Sequence, residues 1–419
     1  MPSIARKAHR PPRSLLSEGR AVEVAVDLSA VAENVRAIKR WIGPACNVMA
    51  VVKANGYGLG AVEMAQAALN GGATWLAVAC VDEGVQLRLA DLTCPVLVLG
   101  YVQPGEATTV VRYGLTAIVH RLDTTVALNE AASRLGLSEK SVPVHIKVDT
   151  GLGRFGCLPE EFLPLADAVG RLPRLRLQGL MTHFADADNP DLSFAREQLI
   201  RFHAIREQAE AHGLRFDLTH ASNSAAMLAL PDARFDLVRT GILLSGHLPA
   251  LHLAGKIKLR TTVTFRARLA RVYKACIGDT VGYGRTWVAA RPSVIGLVPV
   301  GYADGFPRAL SNRGEVLVAG VRCPVVGRVS MDQFGVDLTD VDGVVEGDEV
   351  VLIGEQGRAK IGADELANWS DTISYEIFTG LTPRVPRRYL INGKAVSTRT
   401  LLGVDSGKQL RVFVEGPDN

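Results

Sequence analysis

The sequence predicts an α/β protein in which a (β/α)8 TIM barrel is followed by a mostly β C-terminal domain. Three observations carry that expectation. Between about residues 20 and 250, short β-branched apolar runs alternate with amphipathic segments. Those runs are apolar throughout, as strands are when helices cover both faces of a parallel sheet. After about residue 258 the helical periodicity nearly vanishes, and short strands with glycine turns between them take over. At 419 residues the chain has room for two or three domains of ~150 residues, and a barrel of this kind takes ~250.

In chain order, the strand candidates begin with VEVAVDL (22–28), CNVMAVV (46–52), WLAVACV (75–81), CPVLVLG (94–100) and LTAIVH (115–120). They continue with VPVHIKVD (142–149), LRLQGLMTHF (175–184), FDLTHA (216–221) and FDLVRTGILL (235–244). That makes nine where a barrel needs eight, so one belongs elsewhere. Helical patterns lie between them, among them SAVAENVRAIKRWIG and DLSFAREQLIRFHAIREQAEAHG, the second closing at Gly213 as a glycine just past a helix end does. The later part reads TTVTFRARLARVY, SVIGLVPVGY, EVLVAG, CPVVGRV and DEVVLIG, with a short helix pair near ADELANWS and SYEIFTG. The expected organisation is a flexible basic tail over 1–20, a barrel over 21–258, a β-rich domain over 259–396 and a tail over 397–419.

Composition excludes several classes. Lys and Arg number 47 against 43 Asp and Glu, a net charge of +4, which is not the concentrated basic surface of a nucleic-acid binder. The basic N-terminus is broken by Pro2, Pro11 and Pro12 and leads into no apolar core, so no secretory signal is expected. No run approaches the ~18 apolar residues of a membrane span. The six cysteines form no C-x-x-C pair and several lie in apolar runs, so reduced, buried thiols and a cytoplasmic location are expected.

Chemistry in a parallel barrel gathers at the C-terminal ends of the strands. Those ends carry Lys53, Lys147, Arg154, His183, His220, Ser224 and Arg239. Cations and hydroxyls dominate, which suits an anionic ligand such as a phosphate or carboxylate. In VVKANGYGLG, Lys53 ends an apolar strand, where burial would lower its pKa as a Schiff-base lysine needs; a lysine snorkelling to the surface is the alternative. Gly151, Gly153 and Gly156 match a dinucleotide fingerprint only nominally, since no acidic residue follows at the required distance. They fit better as a loop that presents Arg154 beside Lys147. His183, Asp186 and Asp188 lie close together, but without a second His or a Cys no metal is expected. THASNSAAM offers hydroxyl, amide and backbone N–H groups to a phosphate just before a helix. Arg239 inside an apolar strand requires a polar partner. In the β-rich part, Tyr283 stands between two glycines, exposed or packed on a hairpin turn.

Taken together, VVKANGYG, KVDTGLGRFG, THFADAD, HASNSAAM, VR-x-GI, GYG, GYADG and GRVSMDQ stand in an order, from about residue 20 to 392, that resembles alanine racemase. That family is a pyridoxal-phosphate (PLP) enzyme of fold type III with a barrel and a β-domain. The resemblance implies a homodimer with shared active sites, a small amino-acid substrate and D-alanine supplied for the peptidoglycan of the cell wall. It implies that Lys53 carries PLP covalently, while Tyr57, Ser224, Gly241 and Ile242 hold the phosphate. Arg239 would face the pyridine nitrogen, with His183 and His220 behind it. Arg154 would bind substrate, supported by Lys147, which carries a carbamate in many members. Tyr283, the second base, would enter from the other subunit with Met331 and Asp332, and Tyr302 would line the entrance. A phenol ordinarily titrates near ~10, so Tyr283 would need His183 to lower it. The first strand, about 22–28, joins the β-domain in this family, leaving eight for the barrel. Four positions depart from the common pattern: Leu59, Ser245, Ser330 and Pro383, the last replacing a tyrosine that contacts phosphate. A racemase of broader scope or acting on serine is the nearest alternative. A non-catalytic PLP-binding homeostasis protein is another, though such proteins lack a β-domain.

Overall fold

The computed structural model describes residues 20–405 and 410–411. The chain divides into two compact units, one spanning Asp27–Thr262 and the other combining the stretch up to Val26 with the chain from Val263 onward.

The first unit is built from eight parallel strands: β2 (Asn47–Val51), β3 (Trp75–Val78), β4 (Val96–Val98), β5 (Thr116–Val119), β6 (Val142–Lys147), β7 (Leu175–Met181), β8 (Leu218–His220) and β9 (Leu237–Thr240). They pair in the order β8-β7-β6-β5-β4-β3-β2-β9. The remaining seam is bridged by two backbone hydrogen bonds, Asp236 N to Thr219 O at 3.1 Å and Arg239 N to Ser222 O at 3.0 Å. Helices cover the outside: α1 (Leu28–Ile42), α2 (Ala61–Asn70), α3 (Val81–Leu89), α4 (Ala107–Arg112), α5 (Leu122–Arg134), α6 (Phe162–Gly170), α7 (Ser193–Ala211) and α8 (Ser224–Ala229). Helix α1 starts where the Asp27 carboxylate accepts from Ala30 N, and it buries Val31, Val35, Ile38 and Ile42 along one stripe. Helix α7 ends at Ala211, and Gly213 follows with φ 75°, the left-handed cap read from the sequence.

The two-residue period of the strands sorts the barrel interior into halves. Met49, Val51, Trp75, Ala77, Leu97 and Ile118 from β2–β5 form an apolar cluster with Met181 and Leu237. On the other side, the same strand faces carry His145 and Lys147 in β6, His220 in β8 and Arg239 in β9, all buried. Polar groups are therefore built into the core of one half of the barrel, beneath the mouth.

The second unit contains a thirteen-stranded sheet. The first strand, β1 (Val22–Asp27), pairs antiparallel with β10 (Val263–Arg268), Val24 opposite Phe265, rather than with any barrel strand. Strands β11 (Arg271–Ala275), β12 (Thr280–Val281), β13 (Trp287–Val288), β14 (Ser293–Val298), β15 (Glu315–Val318), β16 (Val321–Val326), β17 (Phe334–Asp337), β18 (Glu349–Gln356) and β19 (Ala359–Ile361) follow; β12 and β13 pair separately as a small hairpin. The short helices α9 (Ala363–Ser370) and α10 (Ser374–Thr379) lie where the sequence suggested a pair. Phe306 and Phe334 stack at 4.4 Å in the core.

Two expectations need correction. The chain from 397 is not a loose tail: β20 (Arg387–Ile391), β21 (Lys394–Thr400), β22 (Gly403–Asp405) and β23 (Leu410–Arg411) extend the sheet. The turn between β20 and β21 is Asn392-Gly393 with φ of 50° and 74°, the chirality that suits a two-residue hairpin. Residues 406–409 and 412–419, and the expected N-terminal tail apart from Arg20, lie outside the described residues. The cysteines are all free, but only Cys46, Cys157 and Cys323 are buried. Cys80 is exposed because β3 ends at Val78 and the apolar run continues past it into the loop before α3.

Candidate active site at the barrel mouth

Lys53 lies two residues past the end of β2 and opens a single left-handed turn: Ala54, Asn55, Gly56 and Tyr57 have φ of 51°, 54°, 63° and 56°. Left-handed backbone is costly for residues with a Cβ, about 1–2 kcal/mol each, so the surroundings must enforce it. Glu83 in the first turn of α3 does so, its carboxylate accepting from Ala54 N at 2.6 Å and from Ala79 N at 2.7 Å. The Asn55 side chain adds a bond from Ala61 N at 3.1 Å. This turn fixes Lys53 at its start and Tyr57 at its end. Burial, then the Arg154 guanidinium, pushes the Lys53 amine below its ordinary range, partly opposed by Glu83.

Tyr57 reaches across to Gly241, just beyond β9. A Cβ at Gly241 would overlap the Tyr57 hydroxyl and lie 2.6 Å from Cζ and 2.8 Å from Cε2. Ser224 Oγ, at the start of α8, accepts from Gly241 N at 3.4 Å and lies the same distance from Thr240 Oγ1. Tyr57, Ser224, Gly241 and the adjoining Ile242 thus form one cradle of hydroxyl and backbone donors. Burial lifts the Tyr57 phenol to about 12, so it stays a neutral donor.

Arg239 is 3 % exposed. Its Nη1 donates to His220 Nδ1 at 2.8 Å, and its Nη2 to Thr182 O, Ala221 O and His183 Nδ1 at 2.9, 2.7 and 3.0 Å. Its acceptors are all neutral, and its Nε–H has no partner among the described residues. Burial lowers the guanidinium to about 9. Burial first, and then Arg239, holds both His183 and His220 well below the usual imidazole range.

Lys147 closes β6, 4 % exposed, its amine 4.9 Å over the Phe155 ring. Burial, then Arg154 and Arg239, lowers it to about 8. Asp149 gives these cations little relief, because its carboxylate is turned to the loop backbone, accepting from Gly151, Leu152, Gly153 and Arg154 N–H groups at 2.8–3.1 Å. Although burial pushes Asp149 up, those bonds bring its pKa below the ordinary carboxylate range. The loop then presents Arg154, exposed, at the mouth. Among the described residues none of Lys53, Lys147, Arg154 and Arg239 is ion-paired. No group of residues there could hold a metal.

The second unit carries the other expected residues. Tyr283 opens a short turn after Gly282 and is 76 % exposed. Tyr302 and Met331 are also exposed, and their turns abut: Tyr302 N donates to Ser330 O at 3.1 Å and Ala303 N to Met331 O at 3.0 Å. Asp332 accepts from Arg384 Nη2 at 2.7 Å. Arg384 also faces Asp304, a buried carboxylate that Arg20 grips. Pro383 is exposed.

Several contributors escaped the sequence reading: Glu83, which enforces the left-handed turn, His145 behind His220, and Gln198. The Gln198 amide is fully buried and ties the loops after β6 and β7 together, donating to Thr150 Oγ1 at 3.4 Å and His183 O at 3.2 Å and accepting from Ala185 N at 2.9 Å. His145 shares a strand face with Lys147, two residues on, but valine and isoleucine flank it and make it read as core.

Comparison with known proteins agrees over nearly the whole chain. The family model "Alanine racemase, N-terminal domain" matches residues 26–249, and "Alanine racemase, C-terminal domain" matches 262–389. An alanine racemase of Symbiobacterium thermophilum is 48 % identical over 364 residues, 87 % of this chain and 96 % of that protein. One from Carboxydothermus hydrogenoformans is 43 % identical over 372 residues, 88 % of this chain and 100 % of its own. The crystal structure of alanine racemase from Bacillus anthracis with bound L-Ala-P has a TM-score of 0.86 at 36 % identity, covering 92 % of this chain and 98 % of that one. The enzyme from D-cycloserine-producing Streptomyces lavendulae gives 0.85 at 38 %, covering 89 % and 97 %.

Proposed function

Because this chain belongs to the alanine racemase family, an isomerase family that interconverts L- and D-alanine, we propose that Lys53 and Tyr283 are its two bases and that PLP is held at the barrel mouth. The observation that carries this reading is the set of four cations there, none ion-paired among the described residues and none neutralised by Asp149. Two of the four, Lys147 and Arg239, are buried, and buried charge without a partner is unfavourable unless something neutralises it. A dianionic phosphate and a substrate carboxylate have the matching charge.

The residues present fit PLP. Tyr57, Ser224, Gly241 and Ile242 would hold the phosphate, Lys53 the aldehyde carbon, and the spare Nε–H of Arg239 the ring nitrogen. When bound, PLP supplies an electron sink for the bond between the substrate Cα and its proton. Arginine donates a hydrogen bond but keeps its proton, so the sink at Arg239 is weaker than a protonated ring would be. Racemisation needs a base on each face of Cα. Lys53, its pKa already lowered by burial and Arg154, exchanges the proton on one face. Tyr283 of a second copy of the chain exchanges it on the other, so the working unit is a homodimer. His183 assists: its Nδ1 accepts from Arg239, which leaves Nε2–H to donate to the Tyr283 oxygen. Arg154 takes the substrate carboxylate with Met331 and Asp332, Lys147 and His220 support from within the barrel, and Tyr302 narrows the approach. The product serves peptidoglycan assembly from the cytoplasm; no helix among the described residues is long and apolar enough to cross a membrane.

The test is solvent-deuterium exchange at Cα of L- and D-alanine, run beside L- and D-serine, with borohydride reduction to locate the cofactor. Exchange into both alanine enantiomers, faster than into serine, and a reduced adduct on Lys53 are expected. No exchange with any of the four would end this reading, and faster exchange with serine would move it to the related racemase.

A further inference from the structure

His145 lies in the middle of β6, fully buried, with no part in the reaction described above. Two features of the backbone seat it. The β6–β7 ladder slips by one residue at this point: Val144 pairs with Leu177 and His145 with Gly179, leaving Gln178 as the extra residue on β7. Such bulges re-aim side chains and gather beside active sites. Gly179, opposite the imidazole, leaves room for it, since a Cβ there would lie 2.5–2.7 Å from ring atoms Cγ, Nδ1 and Cδ2. A glycine inside a strand marks a close approach of this kind.

The hydrogen bonds around the ring assign its protons. Arginine has donors only, so Arg239 Nη1 donates to His220 Nδ1 at 2.8 Å. His220 therefore carries its proton on Nε2, which donates to His145 Nδ1 at 2.9 Å. His145 in turn carries its proton on Nε2, facing Gln178 Oε1 at 3.3 Å. Every proton points away from Arg239, and the relay ends on the amide oxygen of the bulged residue. Burial keeps both imidazoles neutral, His145 down to about 4. The reversed relay would set Nδ1–H of His220 against Nη1–H of Arg239, and the guanidinium would have to turn.

We propose that His145 is a positioning residue for the reaction: by accepting from His220 it keeps His220 Nδ1 bare, and so holds Arg239 with its spare Nε–H directed into the site. This rests on the reading of Arg239 as the contact to the cofactor ring. Gln178 and Gly179 belong to the same device, one as the terminal acceptor and the other as the space the ring occupies.

Two substitutions separate positioning from packing. His145→Leu removes the acceptor, whereas His145→Gln keeps the direction, its amide oxygen accepting from His220 and its nitrogen donating to Gln178. The measurements are kcat and KM for alanine, the absorbance maximum of the lysine-bound cofactor in the holoenzyme, and 15N NMR of His220 in histidine-labelled apoenzyme and holoenzyme. A bare Nδ1 on His220 is expected in the wild type and in His145→Gln. In His145→Leu that fixed state should be lost, the absorbance maximum should shift, and kcat should fall about tenfold with KM within about twofold, as when an outer hydrogen-bond partner of a site residue is removed. Gly179→Ala, which crowds the ring while His145 is present, should reproduce the leucine variant and carries the test if that variant does not fold. A lower melting temperature with an unchanged His220 signal and absorbance would mean packing alone and overturn the proposal, as would a protonated Nδ1 in the wild type. Should no protein, wild type included, form a lysine-bound cofactor, the functional reading above fails, while the His220 signal in the apoenzyme still decides the relay.

Discussion

Gly241→Ala offers the sharpest test of the phosphate cradle, because the perturbation is a single methyl group aimed at one ring. The added Cβ would overlap the Tyr57 hydroxyl and stand 2.6 Å from Cζ and 2.8 Å from Cε2. Carbon atoms in contact ordinarily sit about 3.5–4.0 Å apart, so the ring must retreat by roughly 1 Å. The backbone beneath it has little freedom to follow, since a left-handed turn pinned by Glu83 and Asn55 carries Tyr57. Rotation of the ring is the cheaper escape, and it removes the hydroxyl from the phosphate. A hydrogen bond to a charged group is worth about 1.5–3 kcal/mol, so PLP binding should weaken roughly 10- to 100-fold. Titrating apoenzyme with PLP gives Kd, and melting the apoenzyme separates a local effect from general unfolding. Tyr57→Phe, which loses only the hydroxyl, should weaken binding comparably, and the double variant Tyr57→Ala/Gly241→Ala should show less than the sum of its parts, because the ring that the methyl strikes is gone. A Gly241→Ala Kd within about twofold of wild type would refute the reasoning, as would full additivity in the double variant.

Two further outcomes bear on other parts of the site. The Lys147 amine is lowered to about 8 by burial, Arg154 and Arg239, while an unfolded lysine titrates near ~10.4. The unfolded chain therefore binds more protons between those values, and stability should rise with pH across that window. Lys147→Met should raise the urea midpoint of the apoenzyme at pH 7 in CO2-free buffer, the advantage shrinking as pH climbs through about 8 and beyond; an advantage that ignores pH would assign it to packing on Phe155 instead. Separately, mixing inactive Lys53→Ala and Tyr283→Ala proteins should restore partial racemase activity once subunits exchange. Proven exchange without recovery would place both bases on one chain.

The parts legible in the sequence were those with local signatures. Apolar runs with helices between them announced the parallel sheet, and the polar residues at their C-terminal ends pointed to the barrel mouth. The partner of β1 was not readable from its own pattern, because Val24 pairs with Phe265 across most of the chain, and only the resemblance assigned it to the second sheet. The strands beyond 397 were missed although Asn-Gly at 392–393 is a hairpin signal, because KAVSTRT alternates too weakly to stand out beside the apolar barrel strands. Glu83 and Gln198 were invisible for a different reason: each acts through backbone groups on another loop, and nothing in a helix's composition records which loop it will meet. His145 was hidden by its neighbours. Within VPVHIKVD a histidine flanked by valine and isoleucine reads as core, and the bulge that turns it toward His220 comes from Gln178, on a different strand.

The division of the barrel interior into an apolar half and a polar half explains how a near-neutral protein sustains such a site. Met49, Val51, Trp75, Ala77, Leu97 and Ile118 supply close-packed apolar surface on β2–β5, and that stability must support the buried Lys147 and Arg239 on β6 and β9. Among the described residues neither cation is ion-paired to a carboxylate, and Asp149, which partly offsets the Lys147 charge, is committed to the backbone of its own loop. The same uncompensated charge that makes the free barrel less stable makes an anion bind more tightly, since a ligand that binds only the folded form stabilises it by mass action. Cofactor affinity and apoenzyme stability are therefore linked through these residues, and a substitution such as Lys147→Met that relieves one should weaken the other. Neutral partners for Arg239 belong to the same logic. An aspartate in place of His220 would neutralise the guanidinium and settle the core, but it would also remove part of the charge that the cofactor is meant to answer. Two neutral imidazoles and two backbone carbonyls orient the arginine and leave its charge intact.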